Sequence, residues 1–139
     1  MKGSPLPVTV VGGYLGTGKT TLVNNLLRAA AGRRIAVLVN DFGTTPIDRD
    51  LIVATDGDTL EISGGCVCCS YGSDLMERLM TLPEQRPDLE RVVLEASGVA
   101  LPGMVANAVT LLEPYRIDAV VGPRDDLVAA MRHHKPGLV

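Results

Sequence analysis
Three groups of residues in this 139-residue chain have types and spacings that suit chemistry. The first is the run Gly13-Tyr14-Leu15-Gly16-Thr17-Gly18-Lys19-Thr20, which fits G-x-x-x-x-G-K-[ST] in full. Glycines at 13, 16 and 18 let successive backbone N–H groups turn toward phosphate oxygens with no side chain in the way. A helix beginning there adds unsatisfied donors and a partial positive charge. Lys19 then reaches the β and γ phosphates, and the Thr20 hydroxyl ligates Mg²⁺. Thr17 and Thr21 join the same expected nucleotide-contacting set. The pattern points to a nucleoside triphosphate and does not name its base.

The second group is a pair of carboxylates at the ends of apolar runs. Asp41 follows "AVLVN" and Glu95 closes "RVVLEA", with Ser97 and Gly98 just after. Open α/β sheets gather ligands at the carboxyl ends of their strands. There, Glu95 is expected to hold Mg²⁺ directly or through water, or to orient the attacking water. Asp41 is a candidate for the same work, although "NDFG" is also ordinary turn chemistry. Gly98 offers a backbone N–H to the γ-phosphate.

The third group is "GGCVCC", which holds every cysteine of the chain, Cys66, Cys68 and Cys69. Cys68 and Cys69 are adjacent, so their Cα atoms lie about 3.8 Å apart, too close for an unstrained disulfide. A metal suits the spacing better. Three thiolates can meet one Zn²⁺ and leave a fourth position open. Gly64 and Gly65 free the segment to fold back. It is expected to be a loop at the carboxyl edge, on the same rim as the phosphate cradle. The alternative is three small buried hydrophobes, a role that free cysteine fills well.

These groups need a scaffold, and the apolar pattern supplies one. Short β-branched runs at 8–11, 35–39, 59–62, 92–94 and 119–121 are mostly continuous, as in strands covered on both faces. Helical stripes at 19–31, 74–82 and 103–112 separate several of them. Alternation of this kind predicts an α/β fold, a three-layer sandwich around a mainly parallel sheet. Residues 1–121 are expected to form the nucleotide-binding domain, incomplete on its C-terminal side. Residues 122–139 read as a tail without a second domain. His133 and His134 fit a polar tail better than a metal site.

Composition narrows the function classes. Aromatics are only 3% of the chain, so the core must be aliphatic. A net charge of −3 gives no basic field for nucleic acid or an anionic membrane. No apolar run reaches the length of a membrane span. The N-terminus is too broken by Pro and Gly for a signal peptide, so the expected location is cytoplasmic.

Taken in order, the motifs resemble those of the CobW-type P-loop GTPases, the family that includes the HypB and UreG metallochaperones. "GGYLGTGKTTLVNNLL" is similar to their Walker A segment. "VNDFG" resembles N-E-F-G, with Asp41 where Glu is usual. "GGCVCC" resembles G-C-[IV]-C-C, and "LEASGVALP" resembles E-T-[ST]-G-L-A-x-P. The resemblance implies slow GTP hydrolysis, Mg²⁺ at Thr20, Zn²⁺ or a related ion at the three cysteines, and metal delivery to a client protein. The only lysines are Lys2, Lys19 and Lys135, and none follows an Asn. The guanine-reading N-K-x-D segment is therefore not found, and ATP stays open beside GTP. An exposed apolar sheet edge, and a dimer formed through it, are expected after residue 121. Two rival readings accompany this one. The first is a binding module that takes up nucleotide and metal with little turnover. The second is a small-molecule kinase, which would need an arginine-bearing lid that the sequence does not show.

Overall fold
The computed structural model describes residues 5–12, 17–30, 32–96 and 102–121, with backbone alone for 17–20 and 102–104. The glycines at 13, 16 and 98, together with Ser97, His133 and His134 and the expected tail, lie outside the described residues. Strands β1 (Leu6–Gly12), β2 (Ile35–Val39), β3 (Ile52–Asp56), β4 (Thr59–Ile62), β5 (Val67–Ser70), β6 (Arg91–Ala96) and β7 (Tyr115–Val121) form one sheet. Its order is β3-β4-β5-β2-β6-β1-β7. The five strands from β5 to β7 run parallel, and the β3–β4 hairpin adds antiparallel to β5. Helices α1 (Thr17–Ala29), α2 (Leu75–Gln85) and α3 (Pro102–Thr110) connect them. This is the expected α/β architecture.

Side chains alternate along a strand, so the sheet has two apolar faces. On one face Val23, Leu26 and Leu27 of α1 cover Val37, Val39 and Val93. On the other, Leu79 and Leu82 of α2 and Val105 and Val109 of α3 cover Ala36, Leu38, Val92 and Leu94. All five residues of β2 are buried, which is why "IAVLV" is apolar without alternation. Each fully buried Leu or Val contributes about 1.5–3 kcal/mol.

Two strands were not expected. β3 is an exposed edge strand, joined to β4 through Gly57 at φ +60°. β5 holds two of the cysteines. Gly64 and Gly65, at φ +91° and +104°, turn the chain back from β4 into it, and the Ile62 N–H donates to the Cys66 carbonyl at 2.9 Å.

Helix α2 runs through Pro83 to Gln85, past its expected end. Proline has no N–H, so it cannot bond the carbonyl of Leu79 four residues earlier. The Tyr115 hydroxyl donates to that carbonyl instead, at 2.6 Å. At the opposite edge, β7 bulges against β1 between Val8 and Thr9. Asp118 turns inward there and is fully buried against Arg91, which also donates to Thr9 Oγ1 at 3.2 Å. Among the described residues, no helix is long and apolar enough to cross a membrane.

Candidate nucleotide and metal site
β1 ends at Gly12, and α1 begins at Thr17, so the phosphate motif bridges a strand end and a helix start. The backbones of Thr17, Gly18, Lys19 and Thr20 form the first turn of α1. Their side chains lie outside the described residues. The Thr21 side chain is exposed. Register then brings Glu95 to this spot. Val11 pairs with Glu95 and Gly12 with Ala96, so the carboxylate stands level with the end of β1.

Glu95 is 3% exposed, and its carboxylate gathers the turn that follows β2. Oε1 accepts the Asn40 N–H at 2.9 Å, and Oε2 accepts the Thr45 hydroxyl at 3.1 Å. Asp41 shapes the turn between them. Its Oδ1 accepts the Thr44 N–H at 2.9 Å, and its carbonyl accepts the Thr45 N–H at 3.1 Å. A Cβ at Gly43 would stand 3.0 Å from Asp41 Oδ1, so a side chain there would force the carboxylate aside. In this arrangement Asp41 caps a turn while Glu95 anchors it. Both expected carboxylates thus bond residues of the same turn, 40–45, at the carboxyl edge.

The sequence reading missed three contributors. Thr45 is fully buried. Asn24 on α1 donates to the Pro46 carbonyl at 3.0 Å and accepts the Asp48 N–H at 2.8 Å. A polar residue inside the apolar stripe "LVNNLL" was the available signal for it. The Tyr71 hydroxyl donates to the Glu95 carbonyl at 2.6 Å.

The cysteines require a correction. They do not form a loop on the carboxyl rim. Cys68 and Cys69 lie within β5, where Cys68 pairs with Val37 and Cys69 with Leu38 of β2. Cys66 precedes the strand at the amino edge, where its thiol donates to the Ala30 and Arg33 carbonyls at 3.3 and 3.2 Å. Cys66 and Cys68 enter the α1 face of the core, and Cys69 enters the α2–α3 face. The physical reason is the alternation of a strand: C-V-C-C supplies small apolar groups to both sides. All three thiols are free and buried. Burial pushes each above its ordinary value, with Thr59 partly opposing this at Cys69. The structure therefore does not bring the three sulfurs onto one ion. Among the described residues, no three Cys, His, Asp or Glu side chains group as a metal site.

The cysteine strand nevertheless touches the carboxylate turn. The Asn40 carbonyl accepts the Gly72 N–H at 2.8 Å and the Ser70 hydroxyl at 3.3 Å. One residue, Asn40, thus joins Glu95 to the end of β5 through its N–H on one side and its carbonyl on the other.

With the phosphate motif, the carboxylate and the cysteine strand placed, the comparison with known proteins is decisive. The family model described as the CobW/HypB/UreG nucleotide-binding domain matches residues 7–130. The chain belongs to this family. Among relatives of the CobW/HypB/UreG chain, the "Zinc chaperone CobW" of a Sinorhizobium species is 37% identical over 103 residues, covering 70% of this chain and 29% of that protein. The "Zinc-regulated GTPase metalloprotein activator 1" of Schizosaccharomyces pombe is 32% identical over 120 residues, covering 82% and 29%. Among solved structures, the Zn(II)-bound YjiA GTPase from Escherichia coli superimposes with a TM-score of 0.59 at 31% identity, covering 86% of this chain and 40% of that one. The chain therefore spans about a third of the length of these proteins, and the α/β fold is that of a P-loop GTPase.

Proposed function
We propose that this chain binds a magnesium–nucleoside triphosphate, hydrolyses GTP slowly, and links the nucleotide's state to the handling of Zn²⁺ as cargo for a client protein. The observation that carries the reading is the position of Glu95: a buried carboxylate level with the strand end from which the phosphate motif departs. The residues suit Mg²⁺, because a carboxylate oxygen beside a phosphate cradle is the hard donor this ion takes. Thr20 and Glu95 would hold it, and it would neutralise charge on the phosphoryl oxygens. Gly13, Gly16, Thr17, Gly18, Thr21 and Gly98 complete the nucleotide-contacting set. Lys19 would supply a fixed positive charge to the β and γ phosphates, and Asp41 shapes the turn that Glu95 anchors.

Zinc is assigned to Cys66, Cys68 and Cys69 as a substrate. The described arrangement keeps these thiols protonated and on two faces, so uptake requires β5 to give up its alternation and release protons. The Glu95–Asn40–β5 contacts offer a route by which nucleotide loading could favour that opening. GTP is favoured over ATP by the GTPase names of the relatives.

The test is calorimetric titration of the chain with GTP, ATP and Zn²⁺ in the presence of Mg²⁺, alongside Lys19→Ala and Cys68→Ser. The expected result is nucleotide binding lost in Lys19→Ala and zinc binding lost in Cys68→Ser. Undiminished GTP binding by Lys19→Ala would refute the site.

A further inference from the structure
Asn24 is a buried amide in an apolar stripe, 4% exposed beside Val23, Leu26 and Leu27 of α1. Its side chain bonds the backbone of a distant segment through both of its polar atoms. The amide N–H donates to the Pro46 carbonyl at 3.0 Å, and Oδ1 accepts the Asp48 N–H at 2.8 Å. These two groups flank Ile47, whose side chain enters the same core cluster as Val23. One helical turn beyond Asn24, Arg28 pairs with Asp48 at 2.8 Å and with Asp50 at 3.2 Å. Residues 46–50 thus lie along α1. We propose that Asn24 is a positioning residue for GTP hydrolysis, fixing the segment after β2 against the helix whose first turn belongs to the phosphate motif. The inference rests on the reading of that motif given above.

A side-chain amide offers a donor and an acceptor together, as a peptide group does. Asn24 therefore grips residues 46–48 at two points and fixes both their position and their tilt. An aliphatic side chain at 24 would fill the space and grip neither. The exposed ion pairs of Arg28 add little, because water and salt screen them, so the buried amide sets the register. Thr45 bonds Glu95 and its neighbour Pro46 bonds Asn24. The end of the 41–45 turn is thus tied to β6 and to α1 through adjacent residues. Cutting the Asn24 bonds leaves the phosphate motif in place and lets the turn shift against α1. Binding is expected to follow the motif, whereas turnover follows the relative placement of motif and turn, which a misplacement of about 1 Å can disturb by about 100-fold.

The test compares wild type with Asn24→Leu, which keeps the volume and loses both bonds, and Asn24→Asp, which keeps the acceptor for the Asp48 N–H alone. GTP turnover and affinity are measured with Mg²⁺, and exchange of the Asp48 amide is followed by NMR. Asn24→Leu should exchange the Asp48 amide faster and lose at least about tenfold in kcat, with GTP affinity unchanged. Asn24→Asp should keep slow exchange at Asp48 and fall between the two in kcat. Tyr115→Phe, which weakens the fold at the α2–β7 contact, serves as the stability control and should keep wild-type kcat. Faster Asp48 exchange with wild-type kcat in Asn24→Leu would make Asn24 merely structural and overturn the inference. So would a loss confined to GTP affinity, or an equal loss of kcat in Tyr115→Phe. Should Asn24→Leu not fold, Asn24→Asp decides, and wild-type kcat in that variant overturns it. Wild type that neither binds nor hydrolyses GTP overturns both this inference and the reading beneath it; wild-type turnover retained in the Asn24 variants overturns the inference alone.

Discussion

The Glu95 carboxylate accepts the Thr45 hydroxyl at 3.1 Å across fifty residues of sequence, tying the turn after β2 to the end of β6. Removing the carboxylate should therefore have two separable effects. Glu95→Gln keeps an acceptor for Asn40 and should melt within a few degrees of wild type. Its GTP turnover should fall about 100-fold, the scale of losing one electrostatic stabiliser of the transferring group. Glu95→Ala also strands the Asn40 N–H and should lose about 1–3 kcal/mol in urea unfolding. Equal turnover in Glu95→Gln and wild type would remove Glu95 from the chemistry.

Tyr115 and Pro83 form a matched pair. The proline leaves the Leu79 carbonyl without its helical partner, and the tyrosine hydroxyl supplies one. Tyr115→Phe should lose about 1–3 kcal/mol by chemical denaturation, because a buried acceptor is left unsatisfied. Pairing it with Pro83→Ala should recover part of the loss, since alanine restores the N–H. A double-mutant cycle with no coupling would contradict this account.

The buried Arg91–Asp118 pair locks β6 to β7 across β1. Asp118→Ala should destabilise by about 3–5 kcal/mol, because it leaves the Arg91 guanidinium uncompensated in the core. Replacing both residues with apolar side chains should cost much less. A single variant as stable as wild type in urea unfolding would show that Arg91 reaches water.

Alkaline pH should weaken the fold. Burial raises the thiols of Cys66, Cys68 and Cys69 above their ordinary 9.0, and it raises the Tyr71 hydroxyl to about 12. These acids ionise at lower pH in the unfolded chain than in the folded one, so the unfolded state binds fewer protons there. Their contribution is fully present below pH 9 and is lost as pH rises through the folded values. The urea midpoint should be flat from pH 7 to 8.5 and fall by pH 10.5. A midpoint unchanged over that range would mean that the thiols are already open to solvent.

Much of this was legible in the sequence. The apolar runs of β2 and β6 marked buried parallel strands, and the phosphate motif marked the β1–α1 junction. The position of Glu95 at the carboxyl edge was readable because it closes an apolar run in a chain that also carries the phosphate motif. β3 was missed although "LIVA" is a short apolar run and its Asp-Gly turn is a hairpin signal; four of its five residues are exposed at the sheet edge. The cysteines were expected in a loop on the carboxyl rim because "GGCVCC" carries metal spacing and strand alternation at once; the structure places Cys68 and Cys69 in a strand. Thr45 and Tyr71 act through contacts between residues far apart in sequence, which no local pattern displays.

Coupling of metal handling to the nucleotide requires that nucleotide loading reach the cysteines. The most direct measurement is Zn²⁺ affinity, by competition with a chromophoric chelator, with and without a non-hydrolysable GTP analogue and Mg²⁺. The loaded protein should hold Zn²⁺ at least about tenfold more tightly, a coupling of ~1.4 kcal/mol. The difference should vanish in Lys19→Ala. Identical affinities in the loaded and empty protein would contradict the coupling through Glu95 and Asn40.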